Sequence, residues 1–264
     1  MHYTTISYIK AHPMEKNCTN CDTPLAGKFC SACGQKITHR ITLHHIWHEF
    51  VHAFTHADKG FFFLFVQLSK RPGTVAREYI LEGKRKKYFS PFQYILIIGA
   101  VATFIMTSTH IMDNIMKESG ISSLYREEDK ALLYRMNYYQ TKYFNIILLL
   151  QLPFYALSVF WIYKKYRYNF AECLTLQCFL SAQTTIFSLT FILLIPVIGM
   201  SAMVISLIVS IIYQVFAYLQ FFGEKSAKGI LRSIAAVLLG IILPLLLLSA
   251  VALGLGLIYA KFIR

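Results

Sequence analysis

From Pro91 onward the chain is a succession of long apolar runs broken by short polar stretches. The runs are Phe92–Thr109, Phe144–Tyr163, Ala171–Ile195, Val197–Phe222 and Gly229–Ala260, each near or above the roughly 20 residues that cross a bilayer as a helix. The last is long enough to tilt or to bend at Pro244, and too short to cross twice. Pro196 and Gly199 mark a tight turn between the third and fourth. Between the first two, Ser122 to Tyr143 reads as a helix with Leu124, Leu132, Leu133 and Met136 among charges. Its tyrosines (Tyr134, Tyr138, Tyr139, Tyr143) gather toward the second span as in an aromatic belt.

Ahead of Pro91 the pattern changes. On a wheel of about 100° per residue, His39 to Ala57 puts Leu43, Ile46, Trp47, Phe50, Val51, Ala53 and Phe54 on one side. His44, His45, His48, Glu49, His52, Thr55 and His56 fall on the other. That division predicts an amphipathic helix, and its Trp and Phe suit the membrane interface. Phe61 to Leu68 is apolar but too short to span, so it is expected to lie in the interface or re-enter partway. Lys70-Arg71-Pro72-Gly73 reads as a turn, Thr74 to Glu82 as a short helix stopped by Gly83, and Lys84-Arg85-Lys86-Lys87 as a basic juxtamembrane run.

Composition agrees with a membrane chain: 56% of residues are hydrophobic, 15% are charged and the formal net charge is +13. The fold class expected is an all-α polytopic membrane protein of about five transmembrane helices, preceded by a small zinc ribbon and interfacial amphipathic helices. The units are residues 1–38, 39–90 and 91–264 respectively for ribbon, amphipathic and basic segment, and transmembrane bundle. The connection Lys164, Lys165, Arg167 is purely basic, the Pro196–Gly199 turn carries no charge, and Lys225, Lys228 and Arg232 face the single Glu224. Basic alternating with neutral predicts a cytosolic N-terminus. Met1 to Lys16 has no apolar core of a secretory signal, which points the same way. The Lys261–Arg264 end, placed outside by five crossings, is the feature against this scheme.

Cys18, Cys21, Cys30 and Cys33 form two Cys-x-x-Cys pairs, with Cys33 followed by Gly34. So small a unit cannot bury enough apolar surface to fold alone, and four thiolates around one Zn²⁺ supply the missing free energy. A disulfide pair and an iron site of rubredoxin type are the alternatives. Cys173 and Cys178, inside an apolar run, read as small buried hydrophobes. On the amphipathic stretch, His44, His48, Glu49 and His52 have the helical spacing of a second metal site; a plain polar face and pH-sensitive docking compete with that reading. Arg71, Arg77, Lys84, Arg85, Lys86 and Lys87 are candidates for gripping anionic lipid headgroups, against the simpler role of topology anchor. No recognition helix or stacking platform accompanies these charges, so no nucleic-acid partner is expected.

Phe29-Cys30-x-x-Cys33-Gly34-Gln35, Arg40-Ile41-Thr42 and Asp58-Lys59-Gly60 are similar to the opening block of a bacterial membrane family, the domain-of-unknown-function family 3667. Arg71-Pro72-Gly73, Arg77-Glu78-Tyr79-Ile80, Gly83-Lys84-Arg85 and Lys87-Tyr88-Phe89-x-Pro91 resemble its remainder. The resemblance covers about Cys18 to Pro91. It implies a bacterial inner-membrane protein with an N-terminal ribbon, and brings no activity, substrate or catalytic residue.

The sequence carries no nucleophile with a plausible partner, no phosphate loop and no paired carboxylates within the spans, and the spans lack the ionisable residues of an ion pathway. The leading expectation is a non-enzymatic scaffold or assembly factor that presents the ribbon to a cytosolic protein partner, beside anionic lipid. A metal-dependent membrane enzyme or lipid-handling protein using the histidine face is the second. A small-solute transporter is the third, working through Gln177, Ser181, Thr184, Thr185 and Ser188 with Gln151 and Gln214 on neighbouring spans; helix–helix hydrogen bonding is the plainer explanation of that stripe.

Overall fold

The computed structural model describes residues 17–25, 27–36, 42, 60–118 and 126–262. Its helices are α1 (Phe61–Lys70), α2 (Pro72–Ile80), α3 (Pro91–Thr109), α4 (Ile111–Glu118), α5 (Glu127–Lys142), α6 (Phe144–Ile162), α7 (Phe170–Leu193), α8 (Ile195–Ile198), α9 (Ser201–Phe222) and α10 (Ala227–Phe262). A 3-10 turn, Lys164–Tyr166, joins α6 to α7. Among the described residues there is no strand, only two isolated bridges in the cysteine region. Helices α3, α6, α7, α9 and the Ala227–Leu247 part of α10 are long and apolar enough to cross a membrane. The chain is a multi-pass membrane protein of the all-helical class expected. Of the outer segment, α5 covers Glu127–Lys142 with Arg126 and Tyr143 as its caps; Ser122 to Tyr125 lie outside the described residues.

Helix α7 is the hub. The interior covers 61% of its span, against 22–39% for the other four, and it packs on α3, α6 and α9 as well as on α1 and α2. An Asn169 capping box starts it: the Asn169 side chain accepts from the Glu172 N–H, and Glu172 accepts from the Asn169 N–H, both at 2.8 Å. Apolar burial gives little drive for helices to associate in lipid, so hydrogen bonds and close packing carry the bundle. Gln177 Nε2 donates to Tyr218 Oη of α9 at 2.7 Å, and Ser206 donates to Ser188 at 3.2 Å. The Thr184 and Thr185 hydroxyls bond back to the Ser181 carbonyl of their own helix. The polar stripe thus divides between helix–helix bonds and local ones. Gln183, outside the expected stripe, is the more connected residue: it accepts from Tyr94 Oη at 2.8 Å and donates to Ser69 Oγ at 2.9 Å.

Two expectations near the front of the bundle need correction. Lys70 to Gly73 is not a turn preceding a helix at Thr74, because Pro72 and Gly73 are themselves the first residues of α2. Proline at the first helical position loses no intrahelical bond, and the Gly73 N–H is satisfied by Gln220 Oε1 at 3.1 Å. Gly73 is required by close approach and not by turn geometry. A Cβ there would stand 2.2 Å from the Ala217 carbonyl oxygen of α9 and 2.6 Å from the Phe221 nitrogen. The helix also ends earlier than Glu82, at Ile80, where the Leu81 and Glu82 N–H groups bond to the Arg77 carbonyl.

Glu78 anchors this front unit. Its buried carboxylate receives Lys87 Nζ at 2.7 Å, Tyr88 Oη at 2.6 Å and Arg71 Nη1 at 3.0 Å, and Arg71 also donates to Gln67 Oε1 at 2.7 Å. One acid therefore ties the end of α1, the body of α2 and the approach to α3. A second, Glu224, does the same between loops. It accepts from Lys165 at 2.5 Å and Tyr166 Oη at 2.6 Å, and pairs with Arg232. The α6–α7 and α9–α10 connections therefore share one face of the bundle. Arg77 lies beside Gly223, which puts α2 on that face as well. At the opposite end Asn137 of α5 donates to Asp113 of α4 at 3.0 Å.

Two outcomes follow from these contacts. Gly73→Ala is expected to cost about 1–3 kcal/mol through forced separation of two backbones, read as a lower Tm in detergent; Gly60→Ala, whose Cβ meets nothing nearer than 3.6 Å, leaves Tm unchanged. Burial alone pushes the Glu78 carboxyl up, but bonds from Lys87 and Tyr88 and the charges of Lys87 and Arg71 outweigh it and hold the group below its ordinary value. A depressed carboxyl stabilises the fold above its unfolded pKa of about 4.3, and that contribution disappears as pH falls through the folded value. Glu78→Gln is therefore expected to lower Tm at pH 7 by an amount reflecting roughly 2 kcal/mol, with the gap to wild type closing below about pH 4. Thermal melts of both proteins across pH 3–8 check this, and a gap independent of pH contradicts it.

Candidate metal centre and its seat on the bundle

The cysteine region is built twice, twelve residues apart. In the first copy the Asp22 N–H bonds to the Cys18 carbonyl at 2.8 Å, the Cys18 N–H bonds to the Thr23 carbonyl at 2.8 Å, and Asn17 bridges to Pro24. In the second, the Gly34 N–H bonds to the Cys30 carbonyl at 2.9 Å, the Cys30 N–H bonds to the Gln35 carbonyl at 2.8 Å, and Phe29 bridges to Lys36. Asp22 and Gly34, each directly after the second cysteine of its pair, share a left-handed backbone with φ of 57° and 71°. That turn is why glycine at 34 is apt, and why a residue as tolerant of it as Asp serves at 22.

Each copy delivers two thiols to a common centre. All four sulfurs lie within 4.8 Å of one another, with Cys18 and Cys33 at 3.6 Å and Cys21 and Cys30 at 3.5 Å. Thiolates about 2.3 Å from one tetrahedral ion stand about 3.8 Å apart, so the donor set fits a single tetrahedral metal ion. The four cysteines are not joined by disulfides. Without metal the thiols differ: the Thr23 hydroxyl beside Cys21 brings it down to about 6, the Cys33 backbone N–H lowers Cys30, and burial pushes Cys18 up to about 11. Cys21 is then the thiolate most available for a first metal bond at neutral pH.

What fixes this unit to the rest of the protein is Gln35, the residue after the second turn. It is 5% exposed. Its Nε2 donates to the Gly83 carbonyl at 2.8 Å and to Thr19 Oγ1 at 2.7 Å, and its Oε1 accepts the Lys86 N–H at 3.2 Å. Both ends of one carboxamide are used, on a turn that Gly83 opens with φ of 69°. Because the Gln35 carbonyl also holds the Cys30 N–H, the same residue belongs to the cysteine unit and to its seat.

The basic candidates are placed unequally. Arg71 and Lys87 are engaged with Glu78, and Lys84 pairs with Glu82 at 2.8 Å. Arg77 lies beside Gly223, Arg85 is half-buried, and Lys86 is exposed while its backbone holds Gln35. His44, His48, Glu49 and His52 lie outside the described residues. The sequence does not single out Gln35 or Glu78 as individual residues. For Gln35 the available signal was the twelve-residue repeat, which aligns it with Thr23. For Glu78 it was an acid standing alone among seven basic residues between Lys70 and Lys87, apart from Glu82.

No curated relative and no solved structure matches the chain. Residues 58–103, which include α1, α2, the basic turn and the first part of α3, match the family model described as Protein of unknown function (DUF3667).

Proposed function

We propose that the protein is a non-enzymatic scaffold or assembly factor of the inner (cytoplasmic) membrane that presents a zinc-loaded cysteine unit, held rigidly on its cytosolic face, to a protein partner. The observation that carries this reading is the Gln35 joint. A metal knob free on a tether has no reason to bury a carboxamide against the Gly83–Lys86 turn, whereas a knob that must be shown in one orientation does. Zinc suits the centre because four thiolates in a closed tetrahedral set are its structural ligand type, and its binding supplies folding free energy that so short a segment lacks.

The cytosolic assignment rests on charge. Lys84–Lys87, Lys164–Arg167 and Lys225–Arg232 lie on the face that carries the cysteine unit, and such loops remain on the inside. The spans are chemically plain by comparison. Gln183, Ser206 and the Nε2 of Gln177 make helix–helix bonds, which supports a structural bundle, while Gln177 Oε1 is buried without a partner among the described residues.

Elemental analysis of the purified protein tests the metal half of this reading. One zinc per chain is expected in wild type and in a His48→Ala, His52→Ala double variant, with loss in Cys30→Ser. A second metal that disappears in the double variant would shift the reading to metal-dependent chemistry on the histidine face. Cross-linking in cells tests the partner half: a defined protein adduct is expected in wild type and is lost in Cys30→Ser at equal membrane abundance. An adduct pattern indifferent to Cys30 contradicts the scaffold.

A further inference from the structure

The end of the bundle away from the cysteine unit carries a group of metal-ligating side chains that the scaffold reading does not use. Helix α3 stops at Thr109 and α4 begins at Ile111, so a single residue, His110, makes the joint between them. His110 takes the left-handed conformation there, with φ of 47° and ψ of 25°. Glycine would meet that requirement at less cost, and a bulky residue kept in such a conformation points to a functional constraint.

The cavity beside this joint has a volume of about 50 Å³ and is lined by Met106, His110, Met112 and Asp113, together with Tyr138 and Thr141 of α5. It has room for an ion or a water, and lies far below the ~300 Å³ of a site for an organic molecule. Met106 is buried, and both methionines also pack in the apolar clusters at this end. Core filling explains two thioethers, but not an imidazole and a carboxylate on the same cavity. Asp113 is already engaged: its Oδ1 accepts from Asn137 Nδ2 at 3.0 Å, and its Oδ2 stands 3.6 Å from His110 Nδ1. A carboxylate that is itself held and that faces one ring nitrogen is how proteins orient a metal-binding histidine. The second ring nitrogen, Nε2, is left to act as a ligand.

We propose that the joint between α3 and α4 is a binding site for one Cu(I) ion, with His110, Met106 and Met112 as ligands and Asp113 as the positioning residue. Thioether sulfur selects Cu(I) over the harder divalent ions, which prefer oxygen donors. The three ligands are neutral, and the Asp113 carboxylate offsets the charge of the ion. The site shares no residue with the cysteine centre and goes beyond the scaffold reading, which stands or falls on other residues.

Silver(I) is the probe, because it has the ligand preferences of Cu(I) without its redox chemistry. The zinc-loaded full chain in detergent, labelled with ¹³C at the methionine methyls, is titrated with Ag(I) and followed by NMR. Cysteine thiolates also take up silver, so the readout is the methyl resonances themselves, assigned with Met106→Leu and Met112→Leu. The Met106 and Met112 methyls are expected to shift together and saturate, while that of Met136, exposed on α5, stays in place. His110→Asn tolerates the left-handed backbone and is expected to abolish the paired shift at equimolar silver. Asp113→Asn is expected to weaken binding about tenfold, and Zn²⁺ in place of silver to move neither methyl. Met106 and Met112 methyls that stay fixed in excess silver overturn the proposal, as does a paired shift that persists in His110→Asn. Shifts shared alike by all eight methionines also overturn it, because silver would then be meeting thioethers without a built site.

Discussion

The carboxamide of Gln35 joins two parts of this protein that neither physics nor sequence distance would otherwise hold together. The cysteine unit is too small to bury a core of its own, and the bundle it rests on is organised by lipid. Two bonds from one side chain, to Gly83 and Lys86, fix the first to the second, and a third, to Thr19, stays within the cysteine unit. Each end of the joint is itself held: Gln35 through its carbonyl by the Cys30 N–H, and the Gly83–Lys86 turn through Lys87 on Glu78. Releasing the metal would loosen the first support, and removing the Glu78 charge the second.

Below that joint the architecture uses the few devices that work in a bilayer. Apolar contact does not distinguish a neighbouring helix from lipid, so specificity comes from polar pairs and from close backbones. Gln177 with Tyr218 and Gln183 with Tyr94 and Ser69 bind α7 to three neighbours, while Gly73 lets α2 lie directly on α9. The two buried acids have parallel tasks. Glu78 gathers Arg71, Lys87 and Tyr88; Glu224 gathers Lys165, Tyr166 and Arg232. Both lie on the basic face, where excess positive charge otherwise repels itself.

The five spans were legible because hydrophobic length is a strong signal, and the helices that contain them begin and end within a few residues of the apolar runs, the start of the fourth departing most. There α8, with Pro196 near its start, delays the span to Ser201. The gathering of four cysteines was legible from spacing. The start of α2 was not: Pro-Gly reads as a turn in isolation, and only the approach of Ala217 and Phe221, about 145 residues away in sequence, explains why glycine sits inside a helix. Nor was it visible that Arg71 and Lys87 would be taken up by Glu78, since charge counting treats every lysine and arginine in a basic run alike. Gln35 was hidden for a similar reason. Its role depends on a carbonyl forty-eight residues on, and no local pattern encodes that pairing.

Hydrogen exchange at the Lys86 amide tests the central claim most directly, because that N–H is held by the Gln35 side chain. With the cysteine unit metal-loaded, the amide should be protected, and chelation of the metal or Gln35→Ala should each speed its exchange at least tenfold while the α7 amides stay unchanged. Equal exchange in all three states would mean that the cysteine unit is not seated on the bundle through Gln35.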